Sequence, residues 1–231
     1  MRGSARGAAA GEAVVAPGEP LIELHQVGFA VTSPVPVRIL HPLDLTIAAG
    51  SSVAIIGPSG AGKTTLASLI GALQRPSEGS YRYAGREMTG RNVAQLANFR
   101  SRNLGFVFQN SHLIEERSAL TNVDLGMTDP YLDPAERERR ARESLEVVGL
   151  SAIADRSAAH LSGGERHRVA VARALVKRPE VVIADEPTAA LDQATGRSIL
   201  DLLRGLTEDG TTLIVVTHDA RAAELVDHVV T

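Results

Sequence analysis

The feature that most constrains this chain is the run Gly57-Pro58-Ser59-Gly60-Ala61-Gly62-Lys63-Thr64. It fits G-x-x-x-x-G-K-[ST] and sits between a strand-like and a helix-like stretch. Ser52-Val53-Ala54-Ile55-Ile56 is short, apolar and partly β-branched, which predicts a buried strand. Residues 65–73 have helical spacing and no proline. Strand, glycine loop and helix thus occur in the order that a phosphate cradle requires. Glycines let the backbone turn tightly and bring its N–H groups close to an anion. The helix that follows adds free N–H groups and a positive dipole end. Lys63 is placed to reach the β- and γ-phosphates and the Thr64 hydroxyl to bind Mg²⁺. The whole run, with Thr65 directly after it, is the predicted nucleotide site. A glycine-rich turn that binds nothing is the alternative, and a full match in this context disfavours it. The loop alone does not choose between kinase, GTPase, motor and transporter ATPase.

With 231 residues and 44% hydrophobic content the chain suits one large domain, or a domain carrying a subdomain. A net charge of −3 gives no electrostatic case for a nucleic-acid partner or for anionic lipid. No cysteine is present, so disulfides, Cys-ligated zinc and iron–sulfur clusters held by this chain are excluded. No window approaches the ~18 consecutive apolar residues of a membrane helix. Residues 1–20, rich in Gly, Ala and Pro, lack the apolar centre of a signal peptide and are expected to form a disordered tail, with the folded domain at 21–231.

Along the chain, a strand is expected from Leu21, with a break at Ser33-Pro34-Val35-Pro36. A second strand is expected over 38–47, interrupted around Pro42. Together they read as an antiparallel layer beside the nucleotide core. Strands are also predicted over 80–83 and 103–109, the latter ending at Gln109. Asp133-Pro134-Ala135-Glu136 starts a helix with N-cap, proline and acid in their favoured places. Ala141, Leu145 and Val148 mark its apolar side and Gly149 its stop. The region of about 110–160 is therefore a predicted helical insertion. Further helices are expected over 163–177 and 198–206, with strands over 181–186 and 212–218. Strands alternating with helices predict an α/β fold with a largely parallel sheet and a ligand at the carboxyl ends of its strands.

Asp185 and Glu186 end an apolar strand. Two adjacent acids can simply cap the next helix. In a chain with a phosphate loop, Asp185 is the candidate Mg²⁺ ligand, directly beside Thr64 or through water. Glu186 is then the candidate base for the attacking water. His218, after a core strand, could contact the γ-phosphate and hold Glu186 and water in line. Leu161-Ser162-Gly163-Gly164-Glu165 opens a helix with a hydroxyl and two glycines, a second candidate anion site, although a serine N-cap with glycines is also a common helix start.

Together these motifs closely resemble the ATP-binding cassette ATPases of ABC transporters. Leu161-Ser162-Gly163-Gly164-Glu165 is similar to their signature, residues 181–186 to their Walker B strand with its catalytic glutamate, and His218 to their switch histidine. Gln109 stands where the Q-loop glutamine is expected, which implies roles at the metal and in catalysis. Ala190-Leu191-Asp192 resembles the D-loop, which implies that Asp192 is near nucleotide. The resemblance covers roughly residues 21–228 and is strongest to the lipoprotein-release, macrolide-export and peptide-export type. It implies a P-loop core with an inserted helical subdomain. It further implies ATP and Mg²⁺, a head-to-tail dimer with a second ATP-binding subunit, and a membrane permease holding the chain at the cytoplasmic face of the membrane. Catalysis falls to Lys63, Gln109, Glu186 and His218. There are three departures. Val31 falls where an adenine-stacking aromatic is common, with Phe29 two residues away. Ala190 replaces the small polar residue or asparagine often seen before Leu191-Asp192. The sequence stops at Thr231, where relatives usually continue with another strand. The expectation is thus an ATP-hydrolysing transporter subunit serving an exporter or extruder. Its rival, a soluble cassette ATPase acting in assembly or repair, would be favoured by a long coiled-coil insertion or a second cassette, and neither is present.

Overall fold

The computed structural model describes residues 15–32, 34–189 and 191–231. Residues 1–14 of the tail expected over 1–20, and Ser33 and Ala190, lie outside the described residues. Two sheets organise the fold. The first is antiparallel, in the order β2-β1-β4-β5. It comprises β1 (Pro20–Val31), β2 (Val37–Ala48), β4 (Glu78–Tyr83) and β5 (Arg86–Glu87). The second is parallel, in the order β6-β7-β8-β3-β9. Its strands are β3 (Ser52–Ile56), β6 (Leu104–Val107), β7 (Val181–Asp185), β8 (Thr212–Thr217) and β9 (His228–Val230).

The parallel strands alternate their apolar side chains between two cores. Val182, Ala184, Leu213 and Val215 face one; Val181, Ile183, Ile214 and Val216 face the other. Burial on both faces is why these strands read as unbroken apolar runs. One core is closed by α1 (Lys63–Ile70), α2 (Val93–Asn103) and the antiparallel sheet. The other is closed by α3 (Ala119–Asp124), α4 (Pro134–Val147), α5 (Gly163–Leu175) and α6 (Gln193–Glu208). Between β6 and α5 the chain forms α3, α4 and short 3₁₀ turns at Ser151–Ile153 and Ala158–His160, with one antiparallel bridge between Ser118 and Ser157. Asp133 caps α4, accepting from the N–H groups of Ala135 and Glu136. Ala141, Leu145 and Val148 are buried, as their spacing predicts.

Several boundaries differ from expectation, each for a physical reason. β2 runs through Pro42 without stopping, because it is an edge strand and one ladder donor is dispensable there. The register with β1 shifts around that point. The antiparallel layer starts at Pro20, and the Gly18 N–H donates to the Ala49 carbonyl at 3.0 Å, ahead of the domain start expected at Leu21. β6 ends at Val107, so Phe108 and Gln109 lie beyond the ladder. α6 starts at Gln193 rather than Ser198, because Asp192 caps it through the N–H groups of Ala194 and Thr195. α2 and β9 were not anticipated. α2 buries only Leu96, Phe99 and Asn103, but it does carry a capping box between Asn92 and Gln95.

Candidate active site

Parallel pairing sets Ile56 opposite Thr217 and Asp185 opposite Val216. The carboxyl ends of β3, β7 and β8 are therefore level. The glycine loop, the acidic pair and His218 all leave the sheet along one edge, where open α/β sheets bind ligands.

The loop over residues 57–62 depends on glycine at defined places. Gly60 and Gly62 have φ of 84° and 86°, in the left-handed region. A Cβ on Gly62 would also stand 2.9 Å from the Ile39 carbonyl oxygen of β2. The loop delivers the chain into α1 with no side-chain cap. Helices α2 to α6 each begin on a capping side chain, from Asn92, Ser118, Asp133, Ser162 and Asp192. The first N–H groups of α1 are thus left for an anion. Lys63 Nζ arches over the loop, donating to the carbonyls of Gly57 at 2.8 Å and Pro58 at 3.1 Å.

The Thr64 hydroxyl donates to Asp185 Oδ1 at 3.4 Å. Burial raises the Asp185 carboxyl above its usual range; the Thr64 hydroxyl opposes the rise, and the adjacent Glu186 charge adds to it. Among the described residues no group of three or more His, Asp or Glu side chains is placed to hold a metal. The protein offers two oxygen-bearing side chains here, Thr64 and Asp185. Such a site suits Mg²⁺, which keeps several waters and takes other ligands from phosphate oxygens.

Glu186 has φ of 49°, unfavourable for a residue with a side chain. Its N–H donates to the Val216 carbonyl at 2.7 Å, tying the turn to β8. Its two carboxylate oxygens are held separately. Oε1 lies 2.9 Å from His218 Nδ1, and Oε2 accepts from the Thr217 hydroxyl at 3.0 Å. Lys63, Thr64, Asp185, Glu186 and His218 are therefore brought together, and Thr217 joins them unanticipated. A threonine at the end of an apolar strand gives no sequence signal of that contact. Gln109 is exposed, two residues beyond the end of β6, one strand over from Asp185.

The second candidate anion site is a separate unit. Ser162 and Glu165 form a capping box: the Ser162 N–H donates to Glu165 Oε2 at 2.7 Å, and the Glu165 N–H to Ser162 Oγ at 3.3 Å. The Ser162 backbone and hydroxyl hold the Glu165 carboxyl below its usual range. The two glycines differ. A Cβ on Gly163 meets nothing within 4 Å, whereas one on Gly164 would stand 2.7 Å from Thr195 Cγ2. The Thr195 hydroxyl donates to Asp192 Oδ2 at 2.5 Å. Thr195 thus joins the start of α5 to the cap of α6, another link the sequence did not announce.

At the far end of β1, Val31 pairs with Val37 and both are exposed. Phe29 is opposite Leu40 and packs on the core behind the antiparallel sheet.

A family model described as ABC transporter matches residues 40–189, well over half of the chain. The chain belongs to the ABC transporter family. This ABC chain is 44% identical over 214 residues to the macrolide export ATP-binding/permease protein MacB 1/2 of Paracoccus denitrificans, covering 92% of this chain and 32% of that protein. It spans about a third of the length of the MacB relatives that it matches. It is 46% identical over 214 residues to the lipoprotein-releasing system ATP-binding protein LolD of Nitratidesulfovibrio vulgaris, covering 90% of this chain and 91% of that one. The solved dimer of the ATP-binding cassette MJ0796, bound to ADP and Pi in a post-hydrolysis state, superposes with a TM-score of 0.83 at 36% identity, over 91% of this chain and 93% of that one. The resemblance to macrolide-export and lipoprotein-release cassettes that the motifs carry is thus borne out, and so is the α/β cassette fold.

Proposed function

We propose that this chain binds and hydrolyses ATP and so powers a partner membrane permease, in export or mechanical extrusion. The observation that carries the reading is the one sheet edge on which Lys63, Thr64, Asp185, Glu186 and His218 meet. In this reading residues 57–65 cradle the phosphates. Thr64 and Asp185, with Gln109, hold Mg²⁺, whose charge would offset that developing on the transferred phosphoryl group. Glu186 orients the attacking water and takes its proton, and His218 steadies Glu186 from the solvent side. Lys63 turns from the loop carbonyls to the β- and γ-phosphates. The N–H groups of Gly163 and Gly164, the Ser162 hydroxyl, Glu165 and Asp192 serve the nucleotide of a second, identical cassette in a head-to-tail dimer.

Among the described residues no helix is long and apolar enough to cross a membrane. In our reading the chain is held at the cytoplasmic face of the membrane by the permease, and it has no nucleic-acid partner. The purified chain should hydrolyse ATP in a Mg²⁺-dependent way, stop on addition of EDTA, and lose nucleotide binding in Lys63→Ala. A tagged chain purified from native membranes in mild detergent should bring down a subunit with membrane helices. Turnover that survives Lys63→Ala would contradict the assignment of residues 57–65 as the site of hydrolysis. A turnover-competent chain recovered wholly without membrane subunits would favour the soluble assembly-factor reading.

Base selectivity follows from the end of the β1–β2 ladder. Val31 is aliphatic, and Phe29 is engaged in the core. Base–aromatic stacking contributes ~1–3 kcal/mol in nucleic-acid complexes, which sets the scale of what is missing here. ATP and GTP should therefore compete with affinities within about tenfold of each other. A preference for ATP of roughly a hundredfold that persists in Phe29→Ala would contradict this.

A further inference from the structure

We propose that Thr217 is a positioning residue for hydrolysis, fixing the carboxylate of Glu186 in its working orientation. The inference rests on the reading of Glu186 as the base and goes beyond it. Thr217 is the last residue of β8 and is 2% exposed. Its hydroxyl makes two hydrogen bonds of fixed polarity. The Asp219 N–H donates to it at 3.0 Å, and an amide N–H has no acceptor role to offer in return. The hydroxyl's own proton is thereby directed to Glu186 Oε2, at 3.0 Å. Thr217 is β-branched and buried, so its rotamer is stiff.

The other carboxylate oxygen has a different kind of partner. His218 Nδ1 meets Oε1 at 2.9 Å, and the His218 side chain is 60% exposed. One oxygen is thus held by an immobile core residue and the other by a surface ring with room to swing. The Glu186 backbone is tied to the same strand, through its N–H to the Val216 carbonyl, despite its left-handed φ. Backbone and side chain of Glu186 are therefore both referenced to β8. If His218 turns toward a γ-phosphate, the Thr217 hydrogen bond remains to keep Oε1 aimed at water. A misplacement of about 1 Å at a reacting group can cost ~10²-fold.

Thr217→Val tests this because it keeps shape and burial and removes the hydroxyl. Turnover should fall by roughly ten- to a hundredfold with KM for ATP nearly unchanged, since the phosphate cradle is untouched. The ATP-dependent dimer should still form, as seen by light scattering. Thr217→Ser should restore most of the turnover. In a Glu186→Gln background, Thr217→Val should produce no further loss. Should Thr217→Val fail to fold, Thr217→Cys, with a weak thiol donor, should show the same loss of kcat. Normal kcat in a folded Val or Cys variant, or a Ser variant as poor as Val, would overturn the proposal. Near-normal turnover of Glu186→Gln alone is a separate result: it would remove the base assignment itself, whatever Thr217 does.

Discussion

Glu186→Gln should lower ATP turnover by ~10²–10⁴-fold while leaving ATP binding intact, the range a positioned general base contributes. The substitution preserves size, and an amide oxygen can still accept from the Thr217 hydroxyl. What it removes is the ability to accept a proton from water. The left-handed turn at Glu186 and its tie to Val216 are backbone features and should survive. Lys63, Thr64 and Asp185 are unaltered, so nucleotide should accumulate unhydrolysed and hold two cassettes together. The check has two parts: single-turnover hydrolysis, and sizing of the protein with ATP and Mg²⁺. Turnover near that of the parent would place the base elsewhere. Loss of ATP binding would show that Glu186 serves the cradle rather than the chemistry.

The sequence carried the site's first half well. A strand, a glycine loop and a helix are local, and their residue types follow from the close approach of backbone to phosphate. The N-cap at Asp133, with Pro134 after it and Gly149 past the helix end, was equally local. What stayed hidden was tertiary. α2 has apolar residues, but Val93 is exposed and only Leu96 and Phe99 of them are buried, so they do not mark one clear face, and the Asn92–Gln95 spacing marks its start. β9 has three residues, below the length at which alternation means anything, and pairs with β3 far away in sequence. Pro42 looked like a strand break because sequence does not say which strand lies at an edge. Thr217 looked like one more β-branched core residue until its two partners were in view. The inequality of Gly163 and Gly164 depends on Thr195, which only the packing of α5 on α6 reveals.

That inequality matters for testing whether the site is shared between chains. Any side chain at Gly164 collides with Thr195 of the same chain, so a defect there has a local explanation. Gly163 is open, its φ is outside the left-handed region, and it is the first residue of α5. An aspartate there suits the positive end of the helix and should not harm folding. It would instead repel a phosphate brought to that end. Gly163→Asp should therefore fold normally, bind ATP through its own loop, and fail to dimerise. Lys63→Ala should fail for the opposite reason, having an intact α5 start and a broken loop.

Mixing the two tests the central claim, that ATP is held between the phosphate loop of one chain and the start of α5 in another. In a mixed head-to-tail dimer, one site joins the loop of the Gly163→Asp chain to the Ser162–Glu165 turn of the Lys63→Ala chain, and both halves are intact. The decisive measurement is light scattering of the 1:1 mixture with ATP and Mg²⁺, against each variant alone. The shared site predicts dimer in the mixture and monomer in both controls. A mixture that stays monomeric while the parent chain dimerises, or a parent that hydrolyses saturating ATP as a strict monomer, would contradict it.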